Sequence, residues 1–374
     1  MRSLEKEKAQ VHKNQILNGE EFIEEKKTRR NKHKKSTFLS IFFNFIFYSG
    51  VCGFIIGLFL LYGPYNGFRE WYITTAMTTM THQYLATWFY SDDAIAEVLE
   101  KNKMVEVDAI TDPSLVTSVA STGNYTYANE YEKEIFTKDS AHPDYKIIDI
   151  EGKGYTGYLA VVYDASKLHT MVTSKLNKSG QYVTTMAENN KAVLAINGGG
   201  FEDENHNSAG GVPLGITISK GKILTKYSYS GPGGLIGFDE DDKLVLGKVS
   251  VSQAQKMNIR DAVTCGPFLI INGQSSEVLG NGGWGTAPRT AIGQRKDGIV
   301  LMLVVDGRKV GMPGADMDDL IEVMERYGAY NAAALDGGTS TVMVENYKII
   351  NDPVNGSGVH KTRPIATGFG LILE

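Results

Sequence analysis

Residues 38–62, FLSIFFNFIFYSGVCGFIIGLFLLY, carry no charged side chain, and no other stretch restricts the folding of this 374-residue chain as tightly. As a helix the run extends about 37 Å, enough to cross the hydrocarbon core of a bilayer with some tilt. The basic stretch 26–35, KKTRRNKHKK, precedes it, and the uncharged Tyr62-Gly-Pro-Tyr65 follows. That asymmetry predicts a cytoplasmic tail over 1–36, a transmembrane helix over 37–63 that meets lipid through 38–62, and an extracytoplasmic remainder. A cleaved signal peptide is the competing reading, but secretory apolar regions are shorter and end at a small-residue cleavage site that this run lacks.

The formal net charge of −5 conceals an asymmetry. Residues 1–36 hold eleven Lys or Arg against six Glu, which leaves the rest of the chain at about −10. An acidic distal part does not attract nucleic acid, so no nucleic-acid partner is expected. Cys52 lies inside the apolar run and Cys265 in the distal part. With that topology the two cannot pair within one chain, and no disulfide framework exists. An extracytoplasmic domain that relies on its core alone points to a bacterial cell membrane and envelope.

Residues 64–144 are read as membrane-proximal helices and a linker. The segment 68–89 is rich in Thr, Ala, Met and aromatic residues, and Ser91-Asp-Asp then opens AIAEVLEKN as a capped helix start. Its aromatics and His82 are assigned to apolar packing rather than to a cofactor. Over 106–144, Thr111-Asp-Pro-Ser114 and Ala141-His-Pro-Asp144 favour turns and an irregular stalk. From 145 onward short apolar runs broken by glycine predict strands at about 158–162, 192–196, 214–218, 244–246, 262–271 and 299–305. Helices are expected over 182–190 and 317–327, the second capped by Asp316 and carrying Leu320, Ile321, Val323 and Met324 on one stripe. The expected fold is α+β (mixed α/β): a strand-rich mixed-sheet domain with flanking helices over 145–374, preceded by the single span and a helical stalk.

Polar clusters recur where these apolar runs end. Asn197-Gly198-Gly199-Gly200-Phe201 follows AVLAI, and its glycine N–H groups would form either an anion nest or a tight structural turn. Arg289 and Arg308 supply guanidinium forks suited to phosphate or carboxylate oxygens. Asp306 and Asp336 each stand directly after an apolar strand, where a carboxylate can act as base, nucleophile or metal ligand. Gly337, Gly338, Thr339 and Ser340 add hydroxyls and a second glycine nest, but Ser340 lacks the G-x-S-x-G elbow of a serine hydrolase. Glu202-Asp-Glu-Asn-His206 offers ligands for a divalent cation, or is an ordinary charged loop, and the metal question stays open at this point. Asp239–Asp242 is read as a hairpin turn and Asp316–Asp319 as a helix cap.

Taken in order, INGGGF at 196–201, CGPFLI at 265–270, PRTAIG at 288–293, DGR at 306–308, LDGGTST at 335–341 and RPIATGFGL at 363–371 resemble the phosphodiester glycosidase family over about residues 190–372. The chain departs from the family pattern at Gly200, where a second aromatic is common, and at Thr339, where a third glycine stands in the animal members. The resemblance implies hydrolysis of a sugar 1-phosphodiester at its anomeric C–O bond, in cell-envelope or exopolysaccharide material. It implies that Arg289, Arg308 and the glycines at 198, 199, 337 and 338 neutralise phosphate, and that Asp306 or Asp336 serves the anomeric centre. Asn197, Phe201, Thr339 and Ser340 would hold sugar or phosphate oxygens and the sugar ring, with Arg363 a third phosphate contact or a structural residue. Two other readings use the same residues: a noncatalytic module that binds phosphate-linked glycan, and a glycosyl or phosphoglycosyl transferase acting on surface polymers.

Overall fold

The computed structural model describes residues 2–77, 83–117, 127–203 and 208–373, with the backbone alone at 2, 3, 20 and 31–38. The chain divides into two compact units, Met1–Arg69 and Glu70–Glu374. In the first, a single helix, Arg2–Tyr62, carries both the basic tail and the apolar run. Its segment Leu39–Tyr62 is the one helix among the described residues long and apolar enough to cross a membrane, by length and composition.

The second unit opens with short helices, Tyr84–Thr87 and Asp92–Lys101 among them, and Ser91 caps the latter by accepting from Ala94 N at 3.3 Å. Ile73, Ala76, Ala86, Ile95 and Val98 close into a small apolar cluster, whereas Trp71, Tyr84, Trp88 and Phe89 stay exposed, so packing explains the aliphatic residues and not these aromatics. His82 lies outside the described residues.

The stalk expected over 106–144 differs from the structure. Turn-forming residues are there, yet the described parts, 106–117 and 127–144, are bound along the domain surface. Met104–Val105 pairs antiparallel with Glu277–Val278. Thr111 exchanges hydrogen bonds with Leu246, its N–H donating to Leu246 O at 3.0 Å and its hydroxyl accepting from Leu246 N at 3.0 Å. Val116 and Ile135 are buried. Turn chemistry reports local backbone shape and says nothing of where the segment docks.

The strand-rich part is α+β, with three larger antiparallel sheets and the helix Met317–Arg326 laid against the seven-stranded one. The largest has seven strands in the order Gln274–Ser275, Phe268–Ile271, Ala329–Ala334, Arg289–Arg295, Val300–Val305, Tyr155–Val162 and Tyr145–Gly152. A second runs Lys348–Ile349, Met343–Glu345, Ala192–Asn197, Thr367–Ile372 and Leu168–Val172. The third runs Lys222–Lys226, Ile216–Ser219, Ile259–Cys265, Gly234–Asp239 and Leu244–Gly247.

Strand Val300–Val305 explains the layering. Every residue in it is buried, so both faces are covered. Val300, Met302 and Val304 pack with Leu194, Ile196, Phe238 and Phe369 from the other two sheets. Leu301, Leu303 and Val305 pack with Leu320, Val323 and Met324 of the helix. That helix begins with a capping box in which Asp316 and Asp319 exchange hydrogen bonds at 3.0 Å, so the acidic run is a cap. Asp239 and Asp242 lie at a hairpin turn, the latter at φ +61.

The register brings several strand ends to one edge. Arg289 pairs with Val305 and Ala291 with Ala334, so the start of one strand meets the ends of two neighbours. In the second sheet Gly368 pairs with Asn197 and Met343 with Ile196, so the same kind of edge forms there.

Candidate active site

Asn197 joins these edges. Its side-chain oxygen accepts from the Thr290 hydroxyl at 2.7 Å and from Val342 N at 3.1 Å, and its amide donates to Asp336 O at 2.5 Å. The residue is fully buried. It positions the Asp336 loop, and its side chain presents no free oxygen to a substrate in this structure.

Of the two readings of the three glycines, the hydrogen bonds favour the structural turn. Gly198 N donates to Thr367 O at 2.9 Å, Gly199 N to the Thr367 hydroxyl at 3.0 Å, and Gly200 N to Thr264 O at 3.0 Å. A Cβ at Gly199 would stand 2.6 Å from Thr264 O. The glycines let the turn press between two neighbouring strands, which is the structural reading of the run. Phe201 is buried and belongs to an apolar cluster with Ile365 and Val342.

The two candidate carboxylates differ. Asp306 is 4% exposed, and both of its oxygens accept: Oδ1 from Asn351 Nδ2 at 2.8 Å and Oδ2 from Asp352 N at 2.9 Å. Lys309 Nζ stands 3.5 Å from Oδ2. This carboxylate organises the 351–352 turn. Asp336 is only partly buried and accepts from the Ser340 hydroxyl and from Gly337 N. Desolvation pushes its pKa up to about 6, with Asp203 adding to the rise and Ser340 and Arg363 opposing it.

Cations flank the Asp336 loop. Arg289 is nearly buried; its Nη2 donates to Trp284 O and Gly285 O, both at 2.7 Å, and its Nε to Ala315 O at 3.3 Å. A Cβ on Gly337 would stand 3.8 Å from Arg289 Nη1. Burial lowers the Arg289 pKa to about 10, with Asp316 opposing and the positive charge of Arg308 adding to the shift. Arg308 sits at φ +60, is exposed, and donates from Nη1 to the Thr339 hydroxyl at 3.0 Å and to Val354 O at 3.3 Å. A Cβ on Gly338 would stand 2.9 Å from its Nη2. Among the described residues neither guanidinium has a carboxylate at ion-pair distance. Asp316 acts on Arg289 through its charge, and the Arg308 guanidinium stands beside the same turn.

Arg363 is bound differently. It pairs with Asp203 at 2.6 Å and lies over the Phe201 ring at 4.6 Å, so its charge is compensated. Burial acts to raise the Asp203 pKa, but the bonds from Arg363 and Ser208 hold it at about 2. Sequence reasoning did not find this pair, because nothing local links the two positions. Nor did it place Cys265 near Asp336, where burial and the Asp336 charge push its thiol up to about 12. Glu204, Asn205 and His206 of the proposed cation loop lie outside the described residues. Among those described, no three His, Cys, Asp or Glu side chains converge as a metal site.

The structure thus brings Asp336, Gly337, Gly338, Thr339, Ser340, Arg289 and Arg308 together, with Asn197 and Asp306 bonded behind them. Residues 190–372 match the phosphodiester glycosidase family. The chain is 28% identical over 183 residues to the SPbeta prophage-derived uncharacterized protein YomE of Bacillus subtilis (strain 168), covering 46% of this chain and 27% of that protein. It therefore spans about a quarter of the length of that curated relative. The catalytic domain of zebrafish N-acetylglucosamine-1-phosphodiester alpha-N-acetylglucosaminidase, auto-inhibited by its pro-peptide, superposes with a TM-score of 0.53 at 22% identity. The match covers 63% of this chain and 86% of that one, and it shows a shared fold. Residues 190–372 of this chain are a phosphodiester glycosidase family domain.

Proposed function

We propose that the protein is a membrane-anchored hydrolase that cleaves the anomeric C–O bond of sugar 1-phosphodiesters in cell-envelope or exopolysaccharide material. The observation that carries this reading is the pairing of Arg289 and Arg308, neither bound to a carboxylate among the described residues, around the Gly337–Thr339 turn beside Asp336. The basic run 26–35 ahead of the apolar segment supports a cytoplasmic tail and an extracytoplasmic domain.

The chemistry follows from the leaving group. Water adds to the anomeric carbon, the C–O bond breaks, and a phosphate monoester departs whose second pKa is near 6. Such a group leaves near neutral pH with little help from a general acid. The site has to neutralise phosphate charge, which falls to Arg289 Nη1 and Arg308 Nη2, and to serve an electron-poor anomeric carbon. With its pKa near 6, Asp336 is mainly ionised at neutral pH and fills that second role, either by taking the proton of water or by meeting the carbon directly. Ser340 holds the carboxylate in place. Asp306 then acts through position, as the anchor of the 351–352 turn beside Lys309.

Hydrolysis of the methyl phosphodiester of N-acetylglucosamine 1-phosphate in ¹⁸O-labelled water tests the reading. Label in the released sugar is the expected result, because it reports C–O cleavage. Label in the phosphate would mean P–O cleavage, and binding without turnover would mean a recognition module.

A further inference from the structure

A cavity of about 480 Å³ that the proposed reaction does not use opens beside Thr264 of strand Ile259–Cys265. Its walls include Tyr227, Tyr229, Ser230, Lys248, Gln253 and Thr264. That size falls within the range of small-molecule sites. The cavity is preformed: the Tyr229 hydroxyl donates to Pro232 O at 2.7 Å. The Tyr229 ring covers Gly231 so closely that a Cβ there would stand 2.6 Å from the hydroxyl oxygen.

The lining selects its ligand by charge. Lys248 is the one charged residue of the described lining, and it is paired with Glu106 at 3.2 Å. Thr264, Ser250 and Gln253 are bonded within the fold, which leaves Tyr227, 44% exposed, the Tyr229 ring and the Ser230 hydroxyl facing a ligand. Aromatic faces beside neutral hydrogen-bonding groups match a sugar ring, whose C–H faces are apolar and whose edges carry hydroxyls. They do not match a second phosphate, which would need an uncompensated cation.

Contacts connect the cavity to the reaction centre. Strand Gly234–Asp239 starts opposite Cys265, and Gly233 lies against Cys265 O so closely that a Cβ there would stand 2.1 Å away. Thr264 O accepts from Gly200 N at 3.0 Å, and Gly198 O accepts from Asp336 N at 3.1 Å. Backbone hydrogen bonds thus run from Thr264 in the cavity lining through the glycine turn to Asp336.

We propose that this cavity is an accessory subsite for a neutral sugar residue, so that the substrate of the Asp336 site is a phosphate-linked glycan with several sugars rather than a single-sugar diester. The inference rests on the glycosidase reading above. Its test uses the full chain carrying Asp336→Asn in detergent micelles, titrated calorimetrically with two probes. One is a four-sugar oligomer of N-acetylglucosamine joined by 1-phosphodiester links, and the other is the methyl phosphodiester of the single sugar. The oligomer should bind at least about tenfold more tightly, and adding Tyr227→Ala should remove that advantage. Ser230→Trp, which fills the cavity from its exposed rim, should do the same. Equal affinity for the two probes, or an advantage that survives both variants, overturns the proposal. Turnover of the single-sugar diester by the unsubstituted protein is scored separately: turnover without an oligomer advantage sinks only the subsite, and an oligomer advantage without turnover sinks only the reaction.

Discussion

Thr290 donates its hydroxyl to the Asn197 side-chain oxygen across 2.7 Å, and this bond ties the seven-stranded sheet to the sheet that carries Asn197. The same side chain also holds Val342 N and Asp336 O. Replacing Asn197 with Ala leaves three buried polar groups without a partner. The expected loss is about 2–4 kcal/mol, given about 1–3 kcal/mol for each unsatisfied group and partial relaxation. Denaturant unfolding of the full chain in micelles measures it, and unchanged stability would remove Asn197 from the positioning role.

The pH dependence follows from Asp336. Desolvation is the largest cause of its elevated pKa, about 6 in the fold against 3.8 for the free side chain. As the ionised form is the working one, kcat/KM should rise with pH through about 6 and level off above it. The stability effect has the opposite sign. A raised carboxyl pKa favours the protonated folded state, so this contribution is present at low pH and is lost as pH climbs from about 4 to about 6. Asp336→Asn should flatten that slope in a series of thermal melts, and a rate profile with no limb near 6 would contradict the assignment.

Arg289 and Arg308 should separate in their effects. Arg308 is exposed, so Arg308→Ala should raise KM by about tenfold or more while thermal stability changes little. Arg289 satisfies the carbonyls of Trp284, Gly285 and Ala315 from a buried position. Arg289→Ala should therefore cost about 2–4 kcal/mol of stability as well as substrate affinity. Steady-state kinetics beside melting curves distinguish the pair, and an Arg308→Ala enzyme with unchanged KM would end its phosphate role.

Gly199→Ala tests the turn. Its Cβ would stand 2.6 Å from Thr264 O and 2.9 Å from the Val263 Cβ, both in a packed strand. Overpacking of that kind costs about 1–3 kcal/mol. An anion nest would instead lose phosphate affinity at unchanged stability, so a melt and a phosphate titration together decide between the two readings.

What the sequence revealed and what it hid have the same physical cause. The Met317–Arg326 helix was legible because its cap, Asp316 with Asp319, and its apolar stripe are all local. Strand Val300–Val305 was legible because continuous apolarity marks burial on both faces. The fate of the glycine N–H groups was not, since their acceptors, Thr264 and Thr367, come from distant strands. The docking of 104–116 was hidden for the same reason, with Thr111 held by Leu246. The different surroundings of Asp306 and Asp336 were hidden as well, because both follow apolar strands and their burial and hydrogen-bond partners are set by tertiary structure.

The most direct measurement is sugar release from the methyl phosphodiester of N-acetylglucosamine 1-phosphate by the full chain, beside Asp336→Asn and Asp306→Asn. Release is expected from the unsubstituted protein, with kcat reduced by about a thousandfold in Asp336→Asn at full thermal stability. Asp306→Asn should lose stability along with activity, since it disturbs the carboxylate that holds Asn351 and Asp352. An Asp336→Asn protein that releases sugar at the parent rate would contradict the account.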